Sequence, residues 1–131
     1  MQSFEYHCPT EIVFGPGTEE KTAEKIRKYG GHHVFVVYGG GSVIKTGLLA
    51  RIERTLTAAG LAFKVLAGVR PNPRLSLARQ GVREALLFRA DFILAIGGGS
   101  VIDTAKAISF FVVNFHIYIW ENGLGKEALT K

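Results

Sequence analysis

The residues best suited to chemistry in this chain form a repeated hexapeptide, Gly39-Gly40-Gly41-Ser42-Val43-Ile44 and Gly97-Gly98-Gly99-Ser100-Val101-Ile102. Each copy follows an apolar run, His33-Val34-Phe35-Val36-Val37-Tyr38 and Asp91-Phe92-Ile93-Leu94-Ala95-Ile96, and each leads into residues at helical spacing. A strand, a glycine loop and a helix start together make an anion site. Glycine lets the backbone come close and aim its N–H groups, and the helix dipole favours negative charge. Two such loops in one small domain suit a ligand with phosphates at two places.

Neither copy is a common nucleotide fingerprint. The dinucleotide G-x-G-x-x-G pattern would need glycine where Ile44 and Ile102 stand, and the Gly-Lys-Ser/Thr ending of a P-loop is missing. ATP hydrolysis is therefore not expected. The copies differ just past the repeat, with Lys45 after the first and Asp103 after the second. Lys45 can strengthen an anion site by charge pairing. Asp103 would repel a phosphate at contact distance, so it should face another part of the ligand; the plainer reading is a capping box with Ser100 at the N-cap, and both can hold together. The residue after the His33–Tyr38 strand is Gly39, where NAD-selective sites often place an acidic residue for the ribose 2′-hydroxyl. Nothing negative repels a 2′-phosphate there, and Ser42 and Lys45 stand close by to bind one. With the second loop on the pyrophosphate, NADP(H) is favoured over NAD(H).

These loops need a scaffold, and the chain alternates strand with helix. Glu11–Phe14 reads as a short strand, and Thr18 as the cap of a helix to about Tyr29, ended by Gly30-Gly31. His32–Tyr38 is a strong strand; Leu48, Ile52, Leu56 and Ala59 form a helical stripe closed by Gly60; Ala62–Ala67 is another strand. Gly68 to Pro73 is a loop, Ala78, Val82, Ala85 and Leu86 mark the next helix, and Asp91–Ile96 reads as a strand from the middle of a parallel sheet. Thr104 to about Ser109 continues as helix. The fold class is α/β, a doubly wound, Rossmann-like, mostly parallel sheet. The pattern leaves the state of 110–120 open, and Glu121–Lys131 reads as loop or frayed end.

The 131 residues carry a formal net charge of +5, but the basic side chains are interleaved with Glu19, Glu20, Glu24 and Glu84. Solvated helix faces explain this better than a phosphate-tracking stripe, so no nucleic-acid partner is expected. The one cysteine, Cys8, makes no internal disulfide, and no signal peptide or membrane segment is evident, so the cytoplasm is the default location.

Taken in order, Phe14-Gly15-x-Gly17, Tyr38-Gly39-Gly40-Gly41-Ser42, Gly47, Gly68-Val69-x-Pro71-Asn72-Pro73 and Gly97-Gly98-Gly99-Ser100-Val101-Ile102-Asp103-x-x-Lys106 resemble the N-terminal domain of iron-containing (group III) alcohol dehydrogenases. The branch most similar is the NADPH-dependent butanol dehydrogenase and aldehyde reductase type. The resemblance covers nearly the whole chain and weakens after about Ser109. It implies that Gly97–Ser100 bind the pyrophosphate, that Asp103 lies toward the nicotinamide, and that Gly39–Ser42 surround the adenosine ribose and its 2′-phosphate. It places Asn72 and Pro73 near the adenosine half.

Family enzymes move a hydride between NAD(P)H and an alcohol or aldehyde with a metal, iron or zinc, polarising the substrate oxygen. The resemblance puts that metal on a helical second domain beyond Lys131, and the four histidines here have no metal-ligand spacing. Residues 1–109 are thus expected to form the dinucleotide-binding domain, and 110–131 an apolar then polar connection to a missing domain. Activity on an alcohol or aldehyde would need that domain. A non-catalytic NADP(H)-binding module or a truncated product without function are the alternatives. The apolar run 110–119 leads to an expectation of a homodimer or of self-association.

Overall fold

The structure, a computed structural model, describes residues 3–5, 11–70 and 75–116, with side chains described as far as Val112. Its sheet has three parallel strands: β1 (His33–Tyr38), β2 (Ala62–Leu66) and β3 (Phe92–Ile96), in the order β2-β1-β3. Val34 lies opposite Phe63 on one side and Phe92 on the other, and Tyr38 lies opposite Ile96. The doubly wound α/β architecture is therefore present.

Alternation along β1 builds two cores. Successive side chains of a strand point to opposite faces. Val34 and Val36 pack with Ala23 and Ile26 of α1 (Thr22–Lys28) and with Ile52 and Leu56 of α3 (Leu48–Ala58). Phe35 and Val37 pack with Ala85 of α4 (Leu75–Phe88) and with Val101, Ala105 and Ile108 of α5 (Gly99–His116). All four of these β1 side chains are fully buried. The strand with water-free neighbours on both faces is thus β1. Asp91–Ile96 read as a central strand, but β3 stands at the sheet edge among the described residues, and its first four side chains are only half-buried. Both faces of β3 are nevertheless partly covered, Phe92 and Leu94 by one core and Ile93 and Ala95 by the other.

Two further expectations are corrected, one is narrowed and one open stretch is resolved. Glu11–Phe14 form no strand among the described residues, and Ile12 is 83% and Phe14 97% exposed. Thr18 is not a side-chain cap but the first residue of a 3₁₀ turn, Thr18–Lys21, and its hydroxyl donates to the Gly15 carbonyl at 3.0 Å. The first glycine loop leads into only a five-residue helix, α2 (Gly41–Lys45), because Thr46-Gly47 breaks the chain before α3 starts. The open stretch after Ser109 is helical to His116; residues 117–131 lie outside the described residues.

Three helices end in the same way. At α1 the N–H of Gly31 donates to the Ile26 carbonyl and that of Gly30 to Arg27; at α3 Leu61 donates to Leu56 and Gly60 to Thr57. The third copy, Ala90 to Ala85 and Arg89 to Leu86, carries Arg89 in the left-handed position, with φ 60°. A side chain costs about 1–2 kcal/mol in that conformation, against roughly 0.5–1 kcal/mol of extra chain entropy for glycine. Arg89→Gly is therefore expected to stabilise by about 0.5–1 kcal/mol, a thermal midpoint shift of a few degrees. A lower midpoint would show that the Arg89 side chain matters more than its backbone.

The segment before the first helix is held by one carboxylate. Glu11 accepts from Lys25 Nζ at 2.6 Å, Tyr29 Oη at 2.8 Å and Lys28 Nζ at 3.0 Å. The Lys25 bond, then those of Tyr29 and Lys28, hold its carboxyl at about 2 against the usual 4.5, and the same contacts raise Lys28 and Tyr29. A depressed carboxyl stabilises above its unfolded value and loses that contribution as pH falls through the folded one. This tether is expected to hold fully above pH 4.5 and to be lost toward pH 2. An NMR titration of the Glu11 carboxyl should show its midpoint near 2; a midpoint at 4.5 would mean that the three contacts do not form in solution.

Candidate functional site

Both glycine loops leave the carboxyl end of the sheet from adjacent strands, since Tyr38 and Ile96 are aligned partners. The chain leaves β1 through α3 on one face and reaches β2, then crosses through α4 on the other face to β3. Strand order thus reverses about β1. In open α/β sheets such a reversal opens a crevice outside the carboxyl ends of the strands, and ligands bind there. The two Gly-Gly-Gly-Ser loops flank it.

The glycines divide into two kinds. Gly39 and Gly97 are required by the chain itself: a Cβ on Gly39 would stand 2.9 Å from the Val69 carbonyl oxygen and 3.0 Å from Val101 Cγ2. A Cβ on Gly97, whose φ is +149°, would stand 2.7 Å from Val101 Cγ2. Gly40, Gly41, Gly98 and Gly99 have no such reason. A Cβ on any of them meets nothing within 4 Å, and none has the backbone angle that excludes side chains. What their bare backbone leaves is space for another molecule.

The repeat is structural as well as sequential. Val43 and Val101 are buried, while Ile44 and Ile102 and the residues after them, Lys45 and Asp103, are exposed. The helices behind the loops are unequal, however. α5 runs 18 residues from Gly99 and its first turn leaves N–H groups without intrahelical acceptors, whereas α2 has five residues. The second loop thus opens a long helix, whereas the first opens a short one that carries Ser42 and Lys45. Ser100 lies inside the first turn rather than at the N-cap, and its carbonyl accepts from the buried Thr104 hydroxyl at 2.9 Å. The Ser100–Asp103 capping box is not formed; Asp103 is exposed and its carboxylate makes no hydrogen bond among the described residues. Gly39, Gly40, Gly41, Ser42, Lys45, Gly97, Gly98, Gly99, Ser100 and Asp103 therefore all belong to two loops in contact at one end of the sheet. Asn72 and Pro73 lie outside the described residues. The loop leading to them adjoins the first glycine loop, because Val69 N–H donates to the Tyr38 carbonyl at 3.4 Å.

The opposite end of the sheet is structural. The Asp91 carboxylate accepts from the His32 N–H at 2.9 and 3.1 Å and from the His33 N–H at 2.8 Å, fastening β3 to the start of β1. A cavity of about 230 Å³ at the carboxyl end of β2, lined by Gly68, Arg70, Ser76, Leu77 and Gln80, was not marked by sequence; the one signal for it is a basic residue in a proline-bounded loop.

Fold and crevice define a Rossmann-like α/β domain. Residues 9–131 match the family described as iron-containing alcohol dehydrogenase, and the chain belongs to that family. It is 46% identical over 109 residues to the probable NADH-dependent butanol dehydrogenase 1 of Bacillus subtilis, covering 83% of this chain and 28% of that protein. Identity to the NADPH-dependent aldehyde reductase YqhD of Escherichia coli is 37% over 109 residues, covering 83% of this chain and 27% of that protein. The crystal structure of NADH-dependent butanol dehydrogenase A from Thermotoga maritima superposes with a TM-score of 0.78 at 41% identity, covering 82% of this chain and 27% of that one. The chain thus spans between a quarter and a third of these relatives.

The family name implies iron. Among the described residues no three His, Cys, Asp or Glu side chains come together as a metal site, so those residues do not fit one. Nor is any helix of the described residues long and apolar enough to cross a membrane.

Proposed function

We propose that this chain is the NADP(H)-binding part of an alcohol dehydrogenase or aldehyde reductase, in which a hydride passes between the nicotinamide and the carbon bearing the alcohol or aldehyde oxygen. The observation that carries the reading is the set Gly40, Gly41, Gly98 and Gly99, bare of side chains where the fold would accept them. Gly98, Gly99 and Ser100 hold the pyrophosphate through backbone N–H groups, with Gly97 shaping the turn. Asp103 reaches toward the nicotinamide half, and Asn72 and Pro73 toward the adenosine half. Residues 1–109 are the dinucleotide-binding part and 110–131 the connection onward, α5 being continuous across that boundary. Turnover requires metal ligands that the described residues do not supply.

The preference for NADP(H) rests on the end of β1. Gly39 puts no carboxylate beside the ribose, and Ser42 and Lys45 are exposed on α2. Relatives named for NADH and for NADPH both match the chain, so the choice of cofactor follows from local side chains. The cytoplasm is the proposed compartment, and self-association is proposed through the apolar run 110–119.

Calorimetric titration of the purified chain with NADPH and with NADH tests the reading. NADPH is expected to bind more tightly, and Lys45→Ala to weaken NADPH about five-fold while leaving NADH unchanged, the loss of one exposed charge-assisted contact. A folded chain that binds neither nucleotide would overturn the proposal.

A further inference from the structure

The cavity at the carboxyl end of β2 adds to this site. It is an open hollow of about 230 Å³ lined by Gly68, Arg70, Ser76, Leu77 and Gln80. Arg70 makes no hydrogen bond or ion pair among the described residues. Gln80 is steadied by donating to Glu84 at 2.8 Å, which leaves its amide oxygen as the free acceptor. Between Gly68 and Arg70 stands the buried Val69, whose N–H donates to Tyr38 and whose carbonyl lies against Gly39. The cavity is therefore one residue away from the first glycine loop.

Strand order fixes what can reach it. A pyrophosphate on the crevice between β1 and β3 sends one half of a dinucleotide over the end of β2 and the other beyond β3. The half over β2 meets an uncompensated guanidinium. Arginine matches a phosphate by paired, planar N–H bonds, which an uncharged hydroxyl cannot reward equally. From this we infer that Arg70, with the Ser76 hydroxyl, binds the 2′-phosphate of the adenosine half, and that it is a specificity-determining residue for NADP(H). The inference rests on the nucleotide-binding reading above.

The test uses adenosine fragments, so that no reaction is needed. The chain and its Arg70→Gln variant are titrated calorimetrically with 5′-ADP, 2′,5′-ADP and 3′,5′-ADP, after thermal unfolding shows that both fold alike. The expected result is that 2′,5′-ADP binds the unaltered chain about ten-fold or more tighter than either other nucleotide. Arg70→Gln should remove most of that advantage and leave 5′-ADP within about two-fold. Arg70→Lys should restore part of it as a point charge. Equal losses for 5′-ADP and 2′,5′-ADP, or no loss for either, would overturn the role of Arg70 while leaving the nucleotide site standing. Equal affinity for the 2′- and 3′-phosphate isomers would overturn the positional assignment. Failure of the unaltered chain to bind any of the three would remove the nucleotide reading and this inference with it.

Discussion

A chain carrying Gly99→Val should unfold at nearly the temperature of the unaltered chain and yet bind NADPH at least about ten-fold more weakly. The two halves of that expectation have separate causes. A Cβ at Gly99 meets nothing within 4 Å, so the protein has room for it. Valine is also no worse a helix residue than glycine, which keeps the stability change within about 0.5 kcal/mol. Binding suffers because a side chain would occupy the space through which the first N–H groups of α5 reach a pyrophosphate. Gly97→Ala is the contrasting control. Its positive φ and the Val101 methyl at 2.7 Å make it destabilising, by roughly 1–3 kcal/mol. Thermal unfolding and calorimetric titration of the two variants separate a glycine that the fold needs from one that the ligand needs. Unchanged NADPH binding by Gly99→Val would remove the second loop from the site.

The largest expected loss of stability is at Phe35. Its side chain is the largest of those fully buried among the described residues, and it stands on the strand that pairs with both others, between Lys64 and Ile93. It packs in the core built from Val69, Ala85, Val101, Ala105 and Ile108, which joins α4 and α5 to the sheet. Truncation to alanine removes the ring and leaves a cavity, at a cost of about 3–5 kcal/mol. A domain of this size has about 5–15 kcal/mol in total, so Phe35→Ala should shift the urea midpoint sharply and leave a substantial unfolded fraction on warming. Leu87→Ala is the matched control: Leu87 is 85% exposed, and its loss should change stability by less than about 0.5 kcal/mol. A Phe35→Ala midpoint close to that of Leu87→Ala would mean that the sheet is organised about another strand.

Much of this was legible in the residues because it depends on local pattern. The apolar runs, the helical stripes and the glycine stops marked β1, β2, β3, α3 and α4, and the repeated hexapeptide marked both loops. What stayed hidden depends on partners distant in sequence. Phe92–Ile96 have the composition of a central strand, yet whether a strand is central depends on which others pair with it. Glu11–Phe14 have strand-like residues but find no ladder among the described residues, and a single carboxylate holds them to α1. Gly81 was unremarkable in a helical stripe. In the structure a Cβ there would lie 2.9 Å from Ile108 Cγ1, so its hydrogen sets how closely α4 approaches α5. The site divided along the same line: the glycine loops announce themselves, whereas Arg70 acquires meaning only beside Ser76 and Gln80.

The register of β1 also governs the order in which the chain can assemble. Val34 finds one partner at Phe63 and the other only at Phe92, and the helices covering Phe35 and Val37 come from residues beyond Leu75. Closing the longer loop has to wait, and its reward comes late. During synthesis, the β1–β2 pair with α1 and α3 can form first, with the Phe35 face still open to water. That half-built sheet is the species most exposed to wrong partners, and the emergence of α4 and α5 from the ribosome ends the exposure.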